Sequence, residues 1–477
     1  MAVKPPVGVQ LASPTVRPVS ASATAPQATY ASLDVGKSGG VIPMVEFVDA
    51  PVAPLNLDQA IETAWRMNPR LAAMRERIAE AEGGRTVARA DLFPDAKGSF
   101  RHLQGTPGDH PFVVPTMPNY LGVIAPGVIS DRFERAELSV QWIMWDFGRL
   151  GGKIGQASAE VEIARLQFQR AQQSVAFDVT AAYFSVLRSQ ADTRIAEEAV
   201  ARADSMLRDA RNYFRRGTGI RNDVLRADVL LAETRLNLVK ARTGVAAAVA
   251  TLNQSMGINV SCPTRVVDQV DEPPFRLSLP ECLQLAADNR DEFRVVLSAI
   301  RSSRLGMDVA QAEFMPRVLV AGTALSQNAH NFGNETLVAG GVNLELTLFE
   351  GGRRIGKMRE AEAGVRDKVA QGKEICDRIA YEVNLAFLEI QDARQRIDLT
   401  RTTVAQANEN LRVVRSLLEK GDATPTELVD AVLSITRAQQ NYASALYDYK
   451  TSLARLTYAT GLPNTPGLSA SLFVAAL

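Results

Sequence analysis

Histidine and cysteine are scarce in this 477-residue chain, three of each, and that scarcity removes most of the usual chemistry. Cys262, Cys282 and Cys376 have no metal-ligand spacing. Cys376 falls on an apolar seam and is expected to be a small core residue. His102, His110 and His330 lie in stretches that read as strand or loop. No HExxH, nucleophile elbow or Walker sequence occurs, and Gly36-Lys37-Ser38-Gly39-Gly40 lacks the upstream glycine spacing of a phosphate loop. No enzyme activity, metal or other cofactor is therefore expected. Lysine plus arginine and aspartate plus glutamate both number 53, and the basic residues are spread along helices, so nucleic acid is not a favoured partner. No apolar run approaches the ~20 residues of a transmembrane helix, so any membrane crossing must be made by strands. No basic start followed by an apolar segment marks a signal peptide, and no cysteine near the N-terminus offers a lipid attachment point.

Proline is also missing from two runs of about 65 residues, and the duplicated segments that hold them organise the chain. Residues 148–257 recur at 352–461 with a constant offset of 204. Each copy opens on a glycine-basic run, Gly148-Arg149-Leu150-Gly151-Gly152-Lys153 or Gly352-Arg353-Arg354-Ile355-Gly356-Lys357. About 65 residues rich in Ala, Glu, Gln, Arg and Leu follow, all good helix formers. A basic-Gly step, Arg216-Gly217 or Lys420-Gly421, then leads to a second helical run ending at Gly257 or Gly461. The pattern predicts a helical hairpin built twice.

Spacing gives the packing of each hairpin. Val383, Ile390, Ile397, Val404, Leu411 and Leu418 recur every seven residues, with the smaller Ala386, Ala393, Thr400, Ala407 and Val414 three positions after the first five. Val179, Val186, Thr193, Val200, Leu207 and Phe214 repeat the scheme, partnered by Ala182, Ser189, Ala196, Ala203 and Ala210. A seven-residue repeat is a coiled-coil seam, and the small partners let helix axes approach closely. At ~1.5 Å per residue, a helix of about 69 residues spans roughly 100 Å, the length of a rod or a tube wall.

In chain order, residues 1–54 form a Pro/Ala/Ser-rich tail. The first repeat occupies 55–257: helices up to Pro94, a strand pair within 95–147, a long helix 148–216, a turn 217–222 and a helix 223–256. A connector, 258–276, precedes the second repeat at 277–461, with a strand pair within 316–350, a long helix 352–420, a turn 421–425 and a helix 426–460. Residues 462–477 are a short tail. The helix openings Leu55–Ala60 and Leu277–Cys282, and the helix stops Pro94 and Pro316, stand 222 positions apart. The offset falls from 222 to 204 before Trp145, so the first copy holds 18 extra residues there. Val342–Leu348 and Leu138–Trp142 alternate apolar and polar residues without a break, as strands with two unlike faces do. Ala96–Phe100 and Val318–Gly322 are the weaker preceding strands. His102–Arg135 and Gln327–Ala339 between them read as loops. Such strands are long enough to cross a bilayer, but four cannot close a barrel and open edges are not tolerated in lipid, so a membrane role demands oligomerisation. Small soluble hairpins capping a coiled coil would show the same alternation.

Helix pair, strand pair, long helix, glycine turn and shorter helix, all given twice, resemble the TolC-like outer-membrane efflux protein family (the outer membrane factors) over about residues 55–462. The resemblance is carried by the Leu-x-Leu-(Asp/Pro)-(Gln/Glu)-(Ala/Cys) openings, by Leu348-Phe349-Glu350-Gly351-Gly352-Arg353, and by Gly421 followed by Glu427-Leu428-Val429-Asp430-Ala431. Trp145-Asp146-Phe147-Gly148-Arg149 departs from the usual double glycine. The resemblance implies a mainly α fold with membrane β: duplicated long hairpins forming a periplasmic α-barrel, and four strands per chain in a trimeric 12-stranded outer-membrane barrel. It further implies a passive exit duct of a tripartite efflux or type I secretion system. Its partners would be two further copies of the chain, a periplasmic adaptor, an inner-membrane pump and outer-membrane lipid. Glu427, Asp430 and Asp223 match the family's acidic pore-constriction positions, where clustered carboxylates would favour cations. Acidic residues in a first helical turn also complement the helix dipole. The turn residues Gly217, Gly219, Arg221, Gly421 and Thr424 are the expected adaptor contacts. The family's Tyr and Arg gate positions correspond to Leu418 and Ala423, so any polar lock must differ, with Arg221 and Arg226 available. The competing readings are a periplasmic adaptor and a soluble coiled-coil scaffold.

Overall fold

The computed structural model describes residues 54–104, 112–115, 127–130, 132–268, 275–329 and 333–462. Both tails, the segments joining the strands, and with them His110 and His330, lie outside the described residues. The elements run α1 (Leu57–Met67), α2 (Pro69–Ala90), β1 (Asp95–Gln104), β2 (Phe112–Pro115), β3 (Gly127–Ser130), β4 (Arg132–Trp145), α3 (Arg149–Arg215) and α4 (Arg221–Met256). The second repeat gives α5 (Leu279–Asn289), α6 (Asp291–Ala312), β5 (Arg317–Ala329), β6 (Gly333–Glu345), α7 (Arg353–Lys420) and α8 (Pro425–Thr460). None of these helices is long and apolar enough to cross a membrane.

Local chemistry sets the helix boundaries. Asn56 caps α1 through a box in which its side chain accepts from Gln59 N at 2.8 Å and its own N donates to Gln59 Oε1 at 3.0 Å. Asn68 ends α1 and caps α2, with Pro69 at the first helical position, where a missing N–H costs nothing. The α4, α7 and α8 helices stop at Gly257, Gly421 and Gly461, each at positive φ. Gly148 and Gly352 stand at φ 89° and 87° before the two long helices, and the residue before them is Gly351 at φ 58° in one copy and Phe147 at φ 56° in the other. The duplicated backbone is thus kept where the duplicated residue is not.

The strands β1, β4, β5 and β6 form one antiparallel sheet in that order, and β2 pairs with β3. Leu138 faces Ala324, which faces Val338, and Gly322 is flanked by Val140 and Gly340. One face therefore carries Phe100, Leu138, Val140, Trp142, Val338, Val342 and Leu344, all exposed. The other carries the Arg135–Glu137 and Arg317–Glu345 ion pairs together with Thr323 and Gln327, set among buried Leu319, Ala321 and Leu325. The strands run further than alternation of apolar residues indicates. β5 continues through Gln327 and Asn328 and β6 begins before Asn334, whereas the other end of β6 stops at Glu345, short of the expected Leu348. Ladder hydrogen bonds do not need apolar side chains, so a strand persists where both of its faces turn polar. The same reason puts β1 and β4 into the ends of a stretch, His102–Arg135, that reads as loop.

The heptad seam of α7 is buried at Ile379, Val383, Ala386, Ile390, Ala393, Ile397 and Ala407, and half-buried at Val404, Leu411 and Leu418. It does not extend back to Cys376, which is exposed. Before Ile379 the helix leans on α6, where a Cβ on Gly372 would meet Val296 Cγ1 at 2.8 Å, and the buried face rotates to Gly372 and Ile375 as the partner changes. Cys262 and Cys282 are the buried cysteines. Phe214, last on the α3 seam, is also exposed. Where the short helices meet the long ones, each repeat has its own core, centred on Ile61, Leu71, Val179, Tyr183 and Leu252 in the first and on Cys282, Val383, Ile390 and Leu456 in the second. Burial pushes the Cys282 thiol up to about 11.

Candidate functional site at the helical turns

The turn after α3 is built by backbone chemistry. Gly217, at φ 76°, donates to Phe214 O at 3.1 Å, and Thr218 and Gly219 both donate to Tyr213 O at 3.1 Å. Gly219 has no positive φ; what it supplies is room, since a Cβ there would stand 3.0 Å from Tyr213 Cβ and 3.1 Å from Phe214 N. Arg221 opens α4 and is exposed. The second turn is a Schellman-type stop: Gly421 N donates to Leu418 O at 3.1 Å and Asp422 N to Leu417 O at 2.9 Å. Thr424 then caps α8, with Pro425 at its first position.

The three acidic residues have different surroundings. Glu427 closes the capping box of α8, accepting from Thr424 N at 2.9 Å, while Glu427 N donates to Thr424 Oγ1 at 3.4 Å. Asp430 is exposed one turn further on, on the same flank of the helix. Asp223 is half-buried and lines a cleft between the two hairpins, which Glu427 and Asp430 do not line. The cleft has an apolar floor of Met206, Ala210, Ala227, Leu428 and Val429. Charged groups rim it: Asp209 and Arg226 from the first hairpin, and Arg415 and Glu419, 3.8 Å apart, from α7.

This end of the chain is held by two kinds of contact. Leu428 and Val429 of α8 pack onto Ala203, Met206, Leu207, Ala227, Leu230 and Leu231 of the first hairpin. Arg226 of α4 donates to Thr426 Oγ1 at the start of α8, a polar tie between hairpins that uses one of the two arginines the sequence offers. Leu418, which the resemblance sets at a gate position, lines the cleft. Asp209, Tyr213, Arg415 and Glu419 escape a reading centred on the glycine turns. They stand on the long helices before those turns, and only the lateral packing of one hairpin on the other brings them together. Among the described residues no group of three or more His, Cys, Asp or Glu is placed to hold a metal ion.

Comparison with known proteins gives a consistent result. Residues 60–258 and 282–462 match the family described as outer membrane efflux protein. Nodulation protein T of Rhizobium leguminosarum bv. trifolii is 21% identical over 405 residues, covering 83% of each chain. Alkaline protease secretion protein AprF of Pseudomonas aeruginosa is 22% identical over 337 residues, 68% of this chain and 69% of that one. Among solved structures, the outer membrane protein VceC of Vibrio cholerae superposes with a TM-score of 0.71 at 18% identity, covering 85% of this chain and 96% of that one.

Proposed function

From the premise that the chain belongs to the outer membrane efflux protein family, we propose that it is a passive exit duct, three copies of which form one channel through the outer membrane and into the periplasm. The observation that carries this is the direct joining of a two-faced sheet to helices of about 100 Å. The apolar face suits lipid and the ion-paired face suits a wet lumen, the alternation expected of a membrane barrel. Family membership leaves no support for a soluble scaffold or a periplasmic adaptor, and the role is transport rather than catalysis.

Assembly into a homotrimer is supported by what a single chain leaves open. Among the described residues β1 and β6 of the four-stranded sheet have no strand on their outer sides, and unpaired edges in lipid are prohibitively costly. Along α4 a second seam, Leu225, Val229, Ala232, Leu236, Val239 and Thr243, runs at alternating four- and three-residue steps with every member exposed. Such a seam is a coiled-coil face awaiting a helix. The turns at Gly217, Gly219, Arg221, Gly421 and Thr424 lie at the far end of the helices from the sheet, where we place the contact with a periplasmic adaptor. A passive duct takes its energy from elsewhere, and we assign that role to an inner-membrane pump. Glu427 and Asp430, with Asp223, are proposed to set an acidic constriction there that favours cations.

Conductance in planar bilayers tests both levels. Wild-type trimers should give a small cation-selective conductance. Glu427→Gln with Asp430→Asn, which keeps a capping-box residue at 427, should conduct with that selectivity lost. Unchanged selectivity would remove the acidic ring and leave the duct, whereas no conductance from inserted trimers would overturn the duct.

A further inference from the structure

The internal duplication shows which surface of this chain meets which surface of the next. α3 packs against α2 and α4 of its own repeat and also against α6 and α8 of the other, whereas α7 packs against α6 and α8 of its own repeat and makes no packed interface with α2 or α4. The missing interface is the pseudo-symmetric twin of the one α3 makes with α6 and α8. Its residues follow from the two offsets, 204 for the long helices and for α4/α8, and 222 for α2/α6.

The occupied interface has a clear chemistry. Arg149 donates to Ala312 O at 3.0 Å, at the C-terminal end of α6. Gly152 lies under Val309, whose Cγ2 would stand 2.5 Å from an added Cβ, and Gly155 lies under Leu305, 2.8 Å from one. Arg170 Nε reaches Glu292 Oε1 at 2.7 Å, and its guanidinium lies over the Tyr458 ring, 3.6 Å from the centroid.

All of these contacts except the Arg170–Tyr458 stacking, whose twin positions are Glu374 and Gln254, have a counterpart on surfaces left open. Arg149 and Ala312 become Arg353 and Ala90. Gly152 and Val309 become Gly356, with nothing within 4 Å of an added Cβ, and Val87, 72% exposed. Gly155 and Leu305 become Arg359 and Gly83, small and large exchanged, and Gly83 too is open. Arg170 and Glu292 become Glu374 and Arg70, the same ion pair with its polarity reversed. Arg70 already stands 3.8 Å from Asp178 with its side chain 55% exposed, free to take a second carboxylate.

We propose that α7 of one copy docks between α2 and α4 of a second copy of this chain, with Glu374 paired to Arg70 of that copy, and that the reversed polarity prevents the internal and the between-copy seams from being exchanged. The proposal rests on the homotrimer proposed above and adds its pairing code. If α7 took the place of α3 against α6, Glu374 would meet Glu292. If α3 took the place of α7 on another copy, Arg170 would meet Arg70. Both errors set like charges against each other at a half-buried contact, which is how related interfaces reject wrong partners.

The test uses the full chain with Cys376→Ser, so that no exposed native thiol intervenes. Gly152 and Val309 would have Cβ atoms 3.8 Å apart, within the roughly 3.5–4.5 Å of a disulfide. Val87→Cys combined with Gly356→Cys should therefore form covalent dimers and trimers on mild oxidation, seen on non-reducing gels. Native mass spectrometry of the unoxidised protein separates the possible failures. A trimer that does not cross-link overturns the docking and leaves the homotrimer, and a monomer overturns both. For the code, Glu374→Arg and Arg70→Glu should each cause loss of the heat-resistant trimer while helicity is retained, and the double reversal should restore it. A double variant no better than the worse single variant would sink the ion pair.

Discussion

At the scale of single residues, the buried polar groups of α3 show how electrostatics and packing compete. Asp192 lies half-buried beside the α8 seam, and burial raises its pKa although Arg188 nearby lowers it. A carboxyl whose folded value is raised costs stability once ionised: the penalty builds as pH rises from the unfolded value and is complete above the folded one. Asp192→Asn should therefore raise thermal stability at pH 7, and the gain should shrink to nothing as pH falls from the raised folded value toward ~4, the unfolded one. A thermal-melt series over pH checks this, and an advantage that grows in acid would refute it. The acidic residues at helix starts were legible in the sequence because a first turn is local. Asp223 and Glu427 stand in first helical turns, as the sequence predicts. Cys376 was not legible, because its exposure depends on where α7 changes partner, and the heptad alone carries no record of the partner. Nor did spacing show that Glu427 spends its carboxylate on a cap.

At the scale of elements, the glycines that end the helices separate two demands that look alike in sequence. Gly421 and Gly461 both have positive φ, 84° and 74°. A Cβ on Gly421 would meet nothing within 4 Å, whereas one on Gly461 would stand 2.9 Å from the carbonyl carbon and oxygen of Asn289. Gly421→Ala should then cost about 1 kcal/mol, the left-handed penalty alone. Gly461→Ala should cost about 2 kcal/mol or more, because backbone must also move. Denaturant unfolding of the detergent-solubilised protein, followed by helicity, compares them, and equal costs would contradict the packing. The repeat made both glycines visible in the sequence, but only the fold shows that one end is free and the other is wedged against α5. The strands were half visible for a related reason. Alternation marks the part of a strand that lies between unlike environments, and it fades at the Gln327–Asn334 end, where neither face is apolar, although the ladder continues.

At the scale of the whole molecule, a two-faced sheet and an internally duplicated helical frame impose different tolerances on adjacent positions. Ser99 and Phe100 are neighbours on β1; Ser99 pairs with Glu137 on the polar face and Phe100 with Ala136 on the apolar one. An arginine on the lipid side near the bilayer centre costs about 2–4 kcal/mol, while one in the lumen meets water and counter-charge. Phe100→Arg should therefore sharply reduce the trimer recovered from outer-membrane fractions. Ser99→Arg, placed beside Glu137, should assemble at near wild-type levels and shift the ion selectivity of the channel. If the two variants assembled equally well, or equally badly, the assignment of faces would be wrong, and with it the direction in which the sheet curves around a lumen. The unequal fates of one-residue neighbours follow from a period of two in a strand, whereas the pairing of Glu374 with Arg70 follows from a period of about two hundred in the chain. Both periods can be read in the sequence. What the fold adds is the knowledge that α3 already uses the interface that α7 leaves empty, and that step turns a repeat into a prediction about assembly.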